Sequence, residues 1–128
     1  MKKILIPAFL VVSFFAISAM STYAQHGYMI DKQVSFVANK ASVKSRIPNR
    51  LETHAYHLKA TKGKILSIQL TSTNKDISFD ITDAEGNSVG EVGDNKSWEG
   101  ELEAAGEYKI LVYAASGLGS YTLNVKLN

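Results

Sequence analysis

The chain has 128 residues, no cysteine, 45% hydrophobic and 20% charged residues, and a formal net charge of +2. That length holds one domain, and the missing cysteine excludes disulfides, a thiolate zinc site, a cysteine nucleophile and the lipid-acceptor residue of a bacterial lipoprotein. The modest charge excludes a strongly basic nucleic-acid binder.

In chain order, residues 1–24 read as a secretory signal peptide. Lys2 and Lys3 precede an apolar run from Ile4 to Met20, and Thr22-Tyr23-Ala24 ends the segment with small residues placed for a cut after Ala24. That run is interrupted by Pro7, Ser13 and Ser18 and falls short of the roughly 20 residues that span a bilayer. Cleavage leaves 104 residues with 12 basic and 12 acidic side chains, so the surplus charge belongs to the leader. The expected product is periplasmic or secreted and is not inserted in the membrane.

Residues 25–33 are polar without periodicity and read as a flexible lead-in to a domain over 34–128. Apolar residues then alternate: Val34 and Phe36; Tyr56, Leu58 and Ala60; Leu66, Ile68 and Leu70; Ile77, Phe79 and Ile81; Trp98 and Leu102; Tyr108, Ile110 and Val112; Tyr121, Leu123, Val125 and Leu127. Alternate residues of a strand point to one face, so each run predicts a strand with one buried side. Turn residues separate the runs at Lys62-Gly63-Lys64, Thr73–Asp76, Asp83–Asn87, Gly93–Asn95, Ala105-Gly106-Glu107 and Ser116–Gly119. No stretch outside the leader holds a helical period. The fold class expected is all-β, an antiparallel sandwich or jelly roll of seven to nine strands.

Charge is segregated. Lys32 to Lys64 holds eight basic residues and one acid, whereas Asp76 to Glu107 holds ten acids and one base. Two readings fit: solvated faces that attract one another, or a bipolar surface that steers a charged partner.

Catalytic and metal motifs lack their required context. Gly86-Asn87-Ser88-Val89-Gly90 has the Gly-x-Ser-x-Gly spacing of a nucleophile elbow, but that elbow needs a helix after the serine and a histidine later in the chain. Here all three histidines precede Ser88, and glycines follow it. His54 and His57 stand three apart, which on a strand puts them on opposite faces and prevents convergence on one ion. Asp80, Asp83, Glu85 and Asp94 have the oxygen ligands calcium prefers, with Asp83, Glu85 and Asp94 the weak calcium candidates; the EF-hand register is absent. Glu99, Glu101 and Glu103 alternate on a solvent face, where no carboxyl is raised for glycoside hydrolysis. No enzyme, resident metal or cofactor is therefore expected.

Several segments carry a family resemblance. They are Tyr56-His57-Leu58-Lys59-Ala60, Gly63 to Ile68, Asp80 to Gly86, Trp98-Glu99-Gly100-Glu101-Leu102, Ala105 to Val112 and Tyr121 to Val125. Together they resemble the bacterial pre-peptidase C-terminal (PPC) domain, a jelly-roll sandwich appended to secreted enzymes. The entry from Val34 to Lys44 is more similar to its stand-alone periplasmic relatives, the inhibitors of invertebrate-type and goose-type lysozyme. For those inhibitors the resemblance implies a Ser-Gly-x-Tyr loop that enters the lysozyme cleft. The matching positions here are Ala105, Gly106, Glu107 and Tyr108, with alanine where the family has serine. The family's following hairpin tends to be longer and richer in arginine than Ala115–Ser120 here.

The expectation is thus an exported, non-catalytic binding domain, lysozyme inhibition being its most specific version. Its contact edge would comprise Ala105–Tyr108 with Ser116, Gly117 and Ser120, and with Asn74–Asp76 and Asp94–Trp98 as neighbours. The alternative partner is an envelope polysaccharide, with Trp98, Tyr113 and Tyr28 as stacking aromatics, although Trp98 is also a natural core residue. The remaining alternative is a small secreted hydrolase using Ser88.

Overall fold

A computed structural model describes residues 27–90 and 96–128. The expected leader and Asp94 lie outside them. Among the described residues there are nine strands and no helix: β1 (Tyr28–Gln33), β2 (Lys40–Ile47), β3 (Glu52–Ala60), β4 (Ile65–Ser72), β5 (Ile77–Thr82), β6 (Ser88–Gly90), β7 (Ser97–Glu101), β8 (Gly106–Ala114) and β9 (Gly119–Leu127). They form two sheets, ordered β1-β3-β8-β5-β6 and β2-β9-β4-β7. β2 approaches β3 and β4 approaches β5 across the gap, so the sheets stack as a sandwich with β1 and β2 along one side and β6 and β7 along the other. All pairings are antiparallel except β1 with β3.

The period-two pattern fills the interior. Leu66, Ile68 and Leu70 of β4, Ile77, Phe79 and Ile81 of β5, Ile110 and Val112 of β8, and Leu123 and Val125 of β9 are all buried. Removing the bulk of one such side chain, as in Phe79→Ala, costs about 3–5 kcal/mol through lost burial and the cavity left behind.

Three expectations about the N-terminal third are corrected. The lead-in assigned to 25–33 is, over Tyr28–Gln33, strand β1 in parallel register with Glu52–His57. Its side chains show no alternation because nearly all of them are exposed; backbone bonds to β3 hold the strand. Val34 and Phe36 belong to the crossover between the sheets, packed part-buried against the core. The crossover ends in a tight turn with Ala38 and Asn39 at positive φ, closed by paired Val37–Lys40 backbone bonds. The strand that follows, β2, escapes the apolar pattern because its inward residues begin with the small Ala41, Val43 and Ser45 before reaching buried Ile47.

Trp98 is part-buried and closes the β6–β7 side. A Cβ on Gly90 would overlap its indole nitrogen, and one on Gly100 would lie 2.6 Å from the ring. Both glycines are thus needed for close approach, and the ring bridges the edges of the two sheets. The charge blocks separate only in part. Lys32, Lys40, Lys44 and Arg46 lie on β1 and β2, while Asp80, Asp83, Glu85, Glu99 and Glu101 lie on β5, β7 and the β5–β6 turn. Lys62 and Lys64, however, sit on the β3–β4 turn, which is bonded to Leu102 at the acidic side.

Candidate functional site

The matched loop is the β7–β8 turn. Leu102 is buried at its base, its N–H donating to the Lys64 carbonyl (2.8 Å) and its carbonyl accepting from Gly63 N–H (2.9 Å). These bonds staple the turn to the β3–β4 turn beside it. Tyr108 is 4% exposed, and its hydroxyl donates to the Ala104 carbonyl at 2.6 Å. Tyr108 therefore pins the loop from beneath and presents no hydroxyl to a partner. Gly106 has φ 147°, a conformation side-chain-bearing residues rarely adopt, and open space where a Cβ would stand. What remains at the surface is Ala105, Gly106 and the half-buried Glu107.

Beside this loop is a cavity of about 320 Å³ bounded by the β5–β6 turn and β7. Asp83, Glu85, Glu101, Glu103 and Glu107 line it around Trp98, and among the described residues no lysine or arginine does. Asp83 and Glu85 thus join the matched loop in one acidic depression, which the sequence reading had kept separate. Asp83 also serves the turn itself, its Oδ1 accepting from the N–H groups of Glu85 (3.0 Å) and Asn87 (2.9 Å). Among the described residues no three His, Asp or Glu side chains converge where they could hold a metal ion. The depression thus gathers five carboxylates around one indole ring.

Glu107 reaches outward as well. On the outer face of the first sheet, the His57 ring sits between two carboxylates, with Nδ1 2.9 Å from Glu107 Oε1 and Nε2 2.8 Å from Asp31 Oδ1. Both partners are acceptors, so the ring donates from both nitrogens only as the imidazolium. Bonds to Asp31 and then Glu107 accordingly raise the His57 pKa above its ordinary value.

The second half of the expected contact edge lies elsewhere. Ser116 and Gly117 belong to the β8–β9 connection and Ser120 to the start of β9, and the length of β8 separates them from Ala105–Glu107 by about 30 Å. There they bind the crossover between the sheets to the β4–β5 turn. The Asn74 amide donates to the carbonyls of Ser116 (2.9 Å) and Leu118 (3.1 Å), Ser116 Oγ donates to Asp76 Oδ2 (2.6 Å), and Ser120 N–H donates to Thr73 Oγ1 (3.0 Å). One contact edge holding both loops is ruled out, because an odd number of strands between them puts them at opposite ends. Ser88 lies on the three-residue β6 with no histidine near it in register. The three aromatics also share no surface: Tyr28 and Tyr113 lie on opposite faces of the first sheet, and Trp98 closes the far side.

At the end of the sandwich opposite the acidic cavity, the core is polar, a feature the apolar runs did not disclose. His54 (2% exposed) meets Glu52 Oε2 through Nε2 at 2.6 Å and the Tyr121 hydroxyl through Nδ1 at 2.6 Å. Tyr56 hydroxyl meets the Tyr121 hydroxyl in turn, and Tyr28 donates to Glu52 Oε1 at 3.0 Å. The carboxylate can only accept, so a consistent direction runs from Tyr56 to Tyr121 to His54 to Glu52. The His54 bond is the main cause of a lowered Glu52 pKa, and burial raises those of Tyr56 and Tyr121. Strand parity could have found this cluster, since Glu52 and His54 share the inward face with Tyr56.

No protein-family model matches the chain, and no curated protein does. Solved structures do. PliG of Aeromonas hydrophila, a periplasmic lysozyme inhibitor of g-type lysozyme, superposes with a TM-score of 0.73 at 20% identity, over 80% of this chain and 99% of that one. PliG of Salmonella Typhimurium, with the same description, gives 0.57 at 19% identity over 77% and 98%. The pre-peptidase C-terminal domain of a Bacillus anthracis collagenase gives 0.60 at 16% identity over 80% and 98%. The resemblance read from the sequence therefore holds at the level of structure: this chain has the sandwich fold common to PliG inhibitors and the PPC domain.

Proposed function

We propose that the chain is exported, is cut after Ala24, and acts without catalysis by binding a protein partner at the β7–β8 loop, and that this partner is a lysozyme. The observation that carries the reading is the acidic cavity. The loop at the positions of the inhibitor motif borders a depression lined by five carboxylates and, among the described residues, no lysine or arginine, which suits a lysine or arginine side chain of the partner. The fold shared with periplasmic inhibitors of g-type lysozyme supports a periplasmic protein of this kind. Alanine at position 105 removes a hydroxyl from the loop tip, so the carboxylates carry more of the recognition. A lysis assay against goose-type, invertebrate-type and chicken-type lysozymes tests this reading. Protection is expected against the goose-type enzyme and is expected to weaken with salt, because the contacts are charged. Activity of all three undiminished by a large excess of the protein would refute it.

A second reading, binding of an envelope polysaccharide, is favoured by one feature, the concave outer face of the second sheet. Ser42, Asn124, Gln69 and Ser97 form a row across its four strands, flanked by Lys40, Lys126, Ser67 and Glu99 on one side and by Lys44, Thr122 and Thr71 on the other, with Glu99 the one carboxylate among them. Amides, hydroxyls and ammonium groups in rows suit an acidic glycan better than the dispersed aromatics do. Co-sedimentation with peptidoglycan, lost on Asn124→Ala with Lys126→Ala, would support it. A protein that stays in the supernatant would exclude it.

A further inference from the structure

We propose that His57 is the positioning residue of the partner loop: its ring, held between Asp31 of β1 and Glu107 of β8, fixes the Glu107 carboxylate at the edge of the acidic cavity. The inference rests on the reading of that cavity as the binding site and adds to it the device that sets the loop's geometry and its response to pH.

The geometry is specific. Glu107 lines the cavity and is the variable position of the matched motif, so its side chain is one that contacts with a partner would engage. It lies diagonally across the β3–β8 pair from His57, opposite Lys59 in register, while His57 stands opposite Lys109. The charged groups facing the ring are therefore Asp31 from β1, Glu107 and Lys109 from β8, and Lys59 two residues along its own strand. Only the two carboxylates lie within hydrogen-bond reach, one on each nitrogen. The His57 side chain is 15% exposed, against 43% for Glu107 and 72% for Asp31. The ring is thus the most shielded of the three groups and the carboxylates reach it from the solvent side.

Loss of the proton on Nδ1 turns that donor into a lone pair facing Glu107, and that contact opens. With Glu107 released, a partner must order the side chain on binding, at a cost worth roughly two- to tenfold in affinity for one flexible side chain. Deprotonation also removes a positive charge beside the cavity and strengthens its attraction for cations. The ring lies against Glu107, inside the roughly 8 Å over which charges act at physiological ionic strength, so this effect is felt as well. Affinity therefore changes as the ring titrates.

The test has two arms. In the first, binding of goose-type lysozyme is measured from pH 5.5 to 8.5 at fixed salt for the wild-type protein and His57→Gln. The ratio of the two affinities removes the lysozyme's own titration. That ratio is expected to change roughly two- to tenfold as the ring titrates; a constant ratio overturns the proposal. In the second arm, NMR follows the His57 ring, the Glu107 side-chain carboxyl and the amides of Gly106 and Glu107 in the free protein. The signals of all of them should shift together as the His57 ring ionises, with one midpoint above 6.5. Asp31→Asn, which leaves the cavity lining intact, should move that midpoint down. A ring that titrates while Glu107 and its neighbours stay still overturns the proposal without reference to any partner. Should goose-type lysozyme fail to bind at every pH, the functional reading falls alone and the NMR arm still decides the role of His57.

Discussion

Two histidines three residues apart on β3 meet carboxylates in opposite ways. His54 points into the sandwich, with an acceptor on one nitrogen and a tyrosine hydroxyl on the other, so a single ring proton satisfies the whole chain from Tyr56 to Glu52. His57 points out, between two acceptors, and needs both protons. Strand parity sends them to opposite faces, and the neighbours then assign one to holding the core together and the other to holding two strands in a protonation-dependent clasp. The chemistry of a histidine is set by which atoms flank it more than by its place in the sequence.

Breaking the inner cluster should have the largest effect. His54→Ala leaves the Glu52 carboxylate and the Tyr121 hydroxyl without their shared partner and is expected to destabilise by about 3 kcal/mol in urea unfolding. A loss under 1 kcal/mol would mean that water replaces the ring. Next comes the clasp of the two sheets. Gly100→Val drives a side chain into Trp98 and should cost about 1–3 kcal/mol, with a shift in tryptophan emission. Tyr121→Phe keeps the ring and removes one hydroxyl, costing about 1–2 kcal/mol, with His54 and Tyr56 left short of a partner. Smallest is His57→Gln, at under about 1 kcal/mol, since Asp31 and Glu107 are exposed to solvent.

The same contrast predicts the pH profile of stability. The folded pKa of Glu52 is lowered, so its contribution is present above its unfolded value near 4.5 and is lost as pH falls through the folded one. The folded pKa of His57 is raised, so its contribution is full below about 6.5 and is lost as pH rises through the folded value. These two groups together place greatest stability between about pH 4.5 and 6.5. Thermal melts across pH 3–9 check this, and in His57→Gln only the alkaline slope should flatten.

Much of the fold was legible. The runs from Leu66 to Leu70, Ile77 to Ile81, Tyr108 to Val112 and Tyr121 to Leu127 alternate without interruption, and each is a strand with that face buried. β1 and β2 were hidden for opposite reasons: one exposes its apolar residues (Tyr28 51%, Met29 52%) and the other buries small ones. The matched loop was found from its motif, but the cavity beside it was not. Asp83, Glu85, Glu101 and Glu107 come from three separate segments, and only the stacking of the two sheets makes them neighbours. Ser116 and Ser120 do not share an edge with that loop, because the nine-residue strand β8 carries the chain from one end of the sandwich to the other.

The last strand, β9, lies in the middle of its sheet, between β2 and β4. β9 is the one neighbour of β2 in that sheet and also pairs with β4, so the layer cannot assemble around a β9 that fails to pair. Leu123→Pro should therefore dissolve the second sheet as a whole and not merely fray its end.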